Sequence, residues 1–175
     1  CIRDRCIDDG STDSTLSTLQ QQQNARDMEI VEFSRNFGKE SAITAGLDNF
    51  SGDVAIIMDS DLQDPPSLIP ELLQKLQEGF EVVTATRTDR SQDSFFKRTT
   101  AKWFYKAHNS FSDIQIPENV GDFRAMTSQV VQEIRRLREN NRFMKGIFTW
   151  VGFKTSTVNY CLLYTSDAAD DFVRV

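Results

Sequence analysis

Apolar positions recur along this chain with two periods, and the alternation between them predicts its elements. Ile7 closes a strand, and the turn Asp8-Asp9-Gly10-Ser11 follows it. Ser11 and Asp13 then stand as caps for a polar helix near Ser14–Ala25. Met28–Phe33 alternates as a strand does, and Ser41–Phe50 sets Ile43, Leu47 and Phe50 on one helical face. Asp53–Met58 is a continuous apolar run, the pattern of a parallel strand covered on both faces. After Pro65-Pro66, the residues Leu68, Ile69, Leu72, Leu73 and Leu76 make an amphipathic helix closed by Gly79. Phe80–Thr86 reads as the next strand. Ser94–Phe111 reads as a helix with an aromatic, basic face. Ser128–Arg138 is a further helix with Val130, Val131, Ile134 and Leu137 inward. Strands alternating with helices predict an α/β fold with an open, mostly parallel sheet and helices on both faces. Ligands of such a sheet bind outside the carboxyl ends of its strands.

Composition narrows the function classes. The 175 residues fit one domain with a real core, and 39% hydrophobic with 26% charged residues is globular. The net charge of −6 argues against a nucleic-acid surface. A polyanionic substrate therefore needs a local basic patch or a metal ion. The longest apolar run, Val54 to Met58, is far short of the roughly 20 residues that span a bilayer. Cys1, Cys6 and Cys161 form no zinc pattern. The single histidine, His108, rules out a histidine-based metal site and argues against a Ser/His/Asp triad.

Both ends carry a different kind of signal. Cys1-Ile2-Arg3-Asp4 can be encoded TGT-ATA-AGA-GAC, and the reverse complement of that string, with the first base of the Arg5 codon, translates as Cys161-Leu162-Leu163-Tyr164 and the start of Thr165. The two ends can thus be two strands of one DNA sequence, resembling translated sequencing adapter. Residues 1–5 and 161–175 are accordingly expected to be non-native and are left out of the fold argument. Residues 6–160 are expected to be the core fragment of a longer protein.

Three acidic motifs sit where the sheet would place a ligand. In Asp8-Asp9-Gly10-Ser11-Thr12-Asp13, a carboxylate at a strand end can accept from a base N–H or a ribose hydroxyl, or can cap the next helix as an Asx turn. Asp59-Ser60-Asp61-Leu62-Gln63 follows the apolar strand directly. Two carboxylates two residues apart, with the Gln63 amide, suit a hard Mg²⁺ or Mn²⁺ that also holds substrate phosphates. The third motif, Gly121-Asp122-Phe123-Arg124, reads as a loop carboxylate beside an arginine, for acceptor positioning or for a structural ion pair. Basic residues supply the other half: Arg35 and Lys39 after one strand, Arg87 after another, and Arg142 and Lys145 in Asn141-Arg142-Phe143-Met144-Lys145-Gly146. Guanidinium and ammonium groups suit phosphate oxygens.

Together these motifs resemble the family-two, inverting glycosyltransferases of the GT-A (Rossmann-like) fold, in the branch that transfers sugars to polyprenyl phosphates. The resemblance runs over about Ile7–Tyr160 and is carried by the Asp8–Asp13 motif, Ser34-Arg35-Asn36-Phe37-Gly38-Lys39-Glu40, Met58–Pro66, Gly121–Arg124 and Arg142-Phe143-Met144-Lys145-Gly146. It implies a UDP- or GDP-sugar donor, a polyprenyl-phosphate acceptor and Mg²⁺ or Mn²⁺. By that similarity Ile7 lines the base pocket, Asp9 contacts the nucleoside, and Ser60 and Arg87 join the donor site. Asp59, Asp61 and Gln63 would take metal and diphosphate. Asp61 and Asp122 become the candidate catalytic residues, Asp122 in an orienting or electrostatic role. Arg35, Lys39, Arg124, Arg142 and Lys145 are the phosphate and acceptor candidates.

The family's chains begin with a further strand, missing here, and continue into interface helices and, in many bacterial members, transmembrane helices. The resemblance therefore implies a parent enzyme at the cytoplasmic face of a bacterial inner membrane, with a homo-oligomer left open. The 175-residue chain itself is expected to be inactive. Two other readings stay open: another nucleotide-sugar-dependent transferase, and a non-catalytic doubly wound binding module. The Gln-x-x-Arg-Trp motif of processive synthases does not occur. The source nucleotide read tests the adapter reading of the ends: complementary codons at Cys1–Asp4 and Cys161–Tyr164 are expected, and unrelated codons there would sink it.

Overall fold

The computed structural model describes residues 3–23, 27–61, 63–87, 120–137 and 144–160. In chain order the elements are β1 (Asp4–Asp8), α1 (Thr15–Gln23), β2 (Met28–Glu32), α2 (Lys39–Asp48), β3 (Val54–Ile57), a 3-10 turn (Pro66–Leu68), α3 (Ile69–Gln77), β4 (Val82–Arg87), β5 (Val120–Thr127), α4 (Ser128–Arg136), α5 (Met144–Trp150) and β6 (Thr155–Tyr160). They divide into two compact units, Cys1–Ala55 with Thr127–Gly152, and Ile56–Met126 with Phe153–Val175.

In the first unit β1 and β2 pair in parallel, from Asp4 opposite Met28 to Asp8 opposite Glu32. Parallel neighbours need a crossover, and α1 supplies it. Asp4 and Arg5, left out of the sequence argument, form the first two registers of β1. Arg5 Nε donates to Glu29 Oε2 at 2.9 Å across that pair, and this hydrogen bond is the leading cause that holds the Glu29 carboxyl below its usual range. Helix α1 buries none of its residues, which fits its glutamine-rich sequence. Asp13 Oδ1 accepts the Thr15 N–H at 2.9 Å and so caps the helix as expected. Ser11 does not cap it: its hydroxyl donates to Asp8.

The other helices of this unit are tied by charged side chains. The last carbonyls of a helix have no partner within it. At the end of α2 they are met by Arg135 of α4, whose Nε donates to Leu47 O at 2.7 Å and whose Nη2 donates to Asp48 O at 2.8 Å and Phe50 O at 2.5 Å. A cation also suits the negative end of the helix dipole. At the other end of α2, Glu40 Oε2 accepts the Met144 N–H that opens α5, at 3.0 Å. Val130, Val131 and Ile134 of α4 are buried, as predicted, together with Leu47 of α2 and Met144, Ile147 and Phe148 of α5, whereas Leu137, also expected inward, is half-buried just past the end of α4.

A four-stranded sheet has the order β3-β5-β4-β6 and belongs to the second unit except for Val54 and Ala55 of β3 and Thr127 of β5. Strands β4 and β6 are parallel, from Val82 opposite Thr155 to Arg87 opposite Tyr160. Strand β5 runs antiparallel to β4 with an irregularity between Thr84 and Thr86. The sheet is therefore mixed, within the α/β class expected. The expectation of a loop at Gly121–Arg124 is corrected, because these residues lie inside β5. One face of β5 carries Phe123 and Ala125, and the other carries Asp122, Arg124 and Met126. A charged pair inside the strand hid the alternation. In β3 only Ala55 is buried, and Val54, Ile56 and Ile57 are half-buried, less covered than the run suggested. Helix α3 sits on β4 through fully buried Leu72. Elements α5 and β6 had no counterpart in the sequence argument. The helix expected at Ser94–Phe111, with His108, lies outside the described residues.

Removing Arg135 should take the side-chain donor from Asp48 O and Phe50 O, while Leu47 O keeps the Phe50 N–H at 3.1 Å. Arg135→Met is expected to lower the unfolding free energy by about 2–3 kcal/mol in urea titration, as for hydrogen bonds to a charged group. Arg135→Lys should recover only part of the loss, since an ammonium lacks the planar fork.

Candidate active site

In the first unit the turn after β1 and the loop after β2 are joined through Asp9. Its Oδ1 accepts the Phe37 N–H at 2.7 Å and its Oδ2 the Gly38 N–H at 2.9 Å. Asp8 is buried and accepts both the N–H and the hydroxyl of Ser11, closing the turn from within. Gly10 makes the junction possible. It has φ +69°, and a Cβ there would stand 2.4 Å from the Arg35 carbonyl carbon. Beyond it, the Arg35 guanidinium lies 4.1 Å from the centroid of the Phe37 ring, and Phe33 meets that ring edge-on at 5.5 Å. Phe37 is 48% exposed despite its size. The structure thus brings Asp9, Arg35 and Phe37 together, with Lys39 opening α2 directly after them. Ile7 faces α2: a Cβ added at Gly46 would lie 3.7 Å from Ile7 Cγ1.

In the second unit the acidic loop follows β3. Asp59 is half-buried, and Ser60, Asp61 and Gln63 are exposed. Asp61 Oδ1 accepts the Gln63 N–H at 3.0 Å, a local turn that leaves the second carboxylate oxygen to other partners. One residue on, Asp64 Oδ1 accepts the Tyr160 hydroxyl at 2.8 Å. Tyr160 stands beside Arg87 in the β4–β6 register, so both close the carboxyl ends of parallel strands. Burial first, then the bond to Asp64, pushes the Tyr160 phenol up to about 12, with Asp61 adding to the rise and Arg87 opposing it. Asp61, Asp64, Arg87 and Tyr160 thus share one local field.

Asp122 and Arg124 share a face of β5, with Arg124 Nη2 4.0 Å from Asp122 Oδ1. Arg124 is only 3% exposed, and its guanidinium donates to Gly121 O at 2.8 Å and Asp122 O at 3.3 Å. That burial makes it an internal tie of the strand. Arg142 lies outside the described residues, and Lys145 lies in α5. Tyr160 and Asp64 were not singled out in the sequence, and Asp8, part of the first acidic motif, takes the turn role of that motif. The rule that singled out Arg87, a polar residue closing a strand, would have found Tyr160 had Thr155–Tyr160 been read as a strand.

The family profile described as "Glycosyl transferase family 2" matches residues 6–135. The chain belongs to that family. It is 51% identical over 155 residues to the bactoprenol glucosyl transferase of Shigella phage SfV, covering 88% of this chain and 50% of that protein. It is 50% identical to the prophage bactoprenol glucosyl transferase homolog of Escherichia coli K12, covering 88% of this chain and 51% of that one. The chain spans about half the length of these curated relatives. Among solved structures, S. aureus TarS 1-349 superposes with a TM-score of 0.57 at 12% identity, over 88% of this chain and 48% of that one, a likeness of fold. The family-two chain has the GT-A fold. Among the described residues no helix is long and apolar enough to cross a membrane.

The Asp9 junction has no room for a side chain at position 10. Gly10→Ala is expected to lower the unfolding free energy by about 2–4 kcal/mol, through overlap and left-handed strain together. Gly38→Ala shares the positive-φ strain, at φ +91°, but a Cβ there would meet nothing within 4 Å, so it should cost less by the overlap alone in the same denaturation assay.

Proposed function

We propose that the whole protein to which these residues belong transfers a sugar from a UDP- or GDP-sugar to a polyprenyl phosphate, with inversion at the anomeric carbon. The observation that carries this reading is the acidic loop Asp59–Gln63, set after β3 in a chain about half identical to two bactoprenol glucosyl transferases. Its donor set fits a hard divalent cation. Asp59, Asp61 and Gln63 offer only oxygen on their carboxylate and amide acceptor groups, the preference of Mg²⁺ and Mn²⁺. Among the described residues no three His, Cys, Asp or Glu side chains group as a complete metal cage. A site of one or two carboxylates completed by substrate phosphates is the usual Mg²⁺ arrangement. When bound, the cation would supply neutralisation of charge on the departing nucleoside diphosphate.

The chain's own residues supply binding and orientation. Arg87, at the carboxyl end of β4, is a cation suited to diphosphate oxygens. Arg35 and Lys39 offer positive charge at the turn that Asp9 organises, where Ile7 and Asp9 would meet the nucleoside. In the second unit Ser60 would join the donor's binding groups. In the reaction an acceptor phosphate oxygen forms the new bond to the anomeric carbon as the bond to the diphosphate oxygen breaks. A phosphate monoester is largely ionised at pH 7, so no strong base is required. Asp122 then orients the acceptor or balances charge at the sugar, and Arg124, bonded to the backbone around it, keeps its strand in shape. Alignment and leaving-group stabilisation would provide most of the rate. The acceptor's lipid places the reaction at the cytoplasmic face of a membrane.

The test is transfer of labelled sugar from UDP-glucose or GDP-mannose to undecaprenyl phosphate by the whole gene product, with and without Mn²⁺. Asp61→Asn is expected to lower transfer by about a hundredfold, the scale of losing one leaving-group stabiliser. Full transfer in Asp61→Asn, or transfer indifferent to Mn²⁺ and to chelator, would count against the reading.

A further inference from the structure

We propose that Tyr160 is a positioning residue for the acidic loop: its hydroxyl, donated to Asp64, holds the downstream end of Asp59–Gln63 at the carboxyl ends of β4 and β6. The proposal rests on the reading of that loop as the diphosphate site.

Its first support is placement. The upstream end of the loop is fixed by β3, whose last residue is Ile57. The downstream end has no sheet to hold it. Asp64 sits one residue past Gln63, and its Oδ1 is 2.8 Å from the Tyr160 hydroxyl. Tyr160 in turn is the last residue of a strand paired to β4 over six registers, from Val82–Thr155 to Arg87–Tyr160. The loop is therefore tied to one of the firmest pairings in the unit.

Stiffness is the second support. Pro65 follows Asp64 directly and is buried, and the 3-10 turn at Pro66–Leu68 leads into α3, anchored by Leu72. Proline fixes φ, so a constraint on Asp64 carries into a backbone with little freedom to absorb it. Between β3 and Pro65 the exposed residues Ser60, Asp61 and Gln63 have solvent around them, and geometry there depends on how the two ends are held. The third support is chemical. A phenol donating to a carboxylate makes a charge-assisted hydrogen bond, stronger than a neutral one. Tyr160 also stands beside Arg87, so the same contact sets the loop's distance from the cation at the end of β4.

The experiment compares Tyr160→Phe, Asp64→Ala, Asp64→Asn and the double variant Tyr160→Phe/Asp64→Ala in the whole gene product. It reads the KM for the sugar donor, the Mn²⁺ concentration for half-maximal transfer, the KM for undecaprenyl phosphate and the melting temperature. Tyr160→Phe is expected to raise the donor KM and the Mn²⁺ midpoint about tenfold, as for a lost bond to a charged group. The lipid KM should not move. Asp64→Asn keeps an acceptor oxygen but loses the charge, so it should fall between wild type and Asp64→Ala, and the double variant should be no worse than Asp64→Ala. A fall in melting temperature with donor and lipid KM unchanged would overturn the positioning role, as would an equal loss for both substrates. Asp61→Asn, run alongside, separates the two ideas. Loss there with none in Tyr160→Phe overturns the tie alone. Unchanged donor use in Asp61→Asn overturns the reading of the loop on which the tie rests.

Discussion

Asp9 holds two backbone N–H groups of a loop that lies 28 and 29 residues further along the chain. Much of the first unit is arranged around that junction. A loop after a strand has N–H groups with no ladder to pair with, and leaving them unmet in a partly buried place is costly. Asp9 meets two of them with one carboxylate. Asp8, beside it, closes its own turn onto Ser11. A side chain at position 10 would push away the loop that Asp9 holds, because the Arg35 backbone occupies that space. The sequence Asp8-Asp9-Gly10-Ser11 is thus a single device: two acceptors, a gap for the neighbouring loop and a donor to close the turn.

This device also explains why acidic motifs are ambiguous in sequence. The carboxylates of Asp8, Asp9, Asp13 and Asp61 all accept backbone N–H groups nearby. Each one does the work of a cap or a turn, whatever else it does. A carboxylate has about four lone-pair sites, so structural and ligand roles are compatible. Asp61 is the clearest instance, with one oxygen on Gln63 and its side chain exposed in the loop after β3.

The fold class was legible because burial has a period. Met28–Glu32, Val54–Ile57, Ile69–Gln77 and Ser128–Arg136 all appear within a few residues of where apolar spacing puts them. Strand β5 was not legible, since Asp122 and Arg124 break its apolar pattern and only tertiary packing covers Arg124. Strand β6 was missed for another reason: Thr155-Ser156-Thr157-Val158-Asn159-Tyr160 has a single buried apolar residue, Val158, and is held by the β4 ladder. The candidate site residues stand out in the sequence as polar chemistry at strand ends. The bond between Tyr160 and Asp64 does not, because the two are 96 residues apart and nothing local links them.

The arginines sort by what their guanidinium groups meet, and that bears on how an acidic chain can handle an anionic substrate. Arg135 and Arg124 give their donors to carbonyls, at the end of α2 and within β5. Both are taken up by the fold. Arg35 and Arg87 lie where strands end, Arg35 stacked on an exposed ring and donating to the Asn36 carbonyl, Arg87 next to Tyr160 in register. A net charge of −6 gives no general attraction for phosphates. Under the proposed function, recognition would come from a few cations held at defined distances from carboxylates, where fixed geometry counts for more than total charge. The residues that shape each turn locally are uncharged, such as Gly10 beside the Arg35 backbone in one unit and Tyr160 beside Asp64 in the other, and so escape any search that follows charge alone.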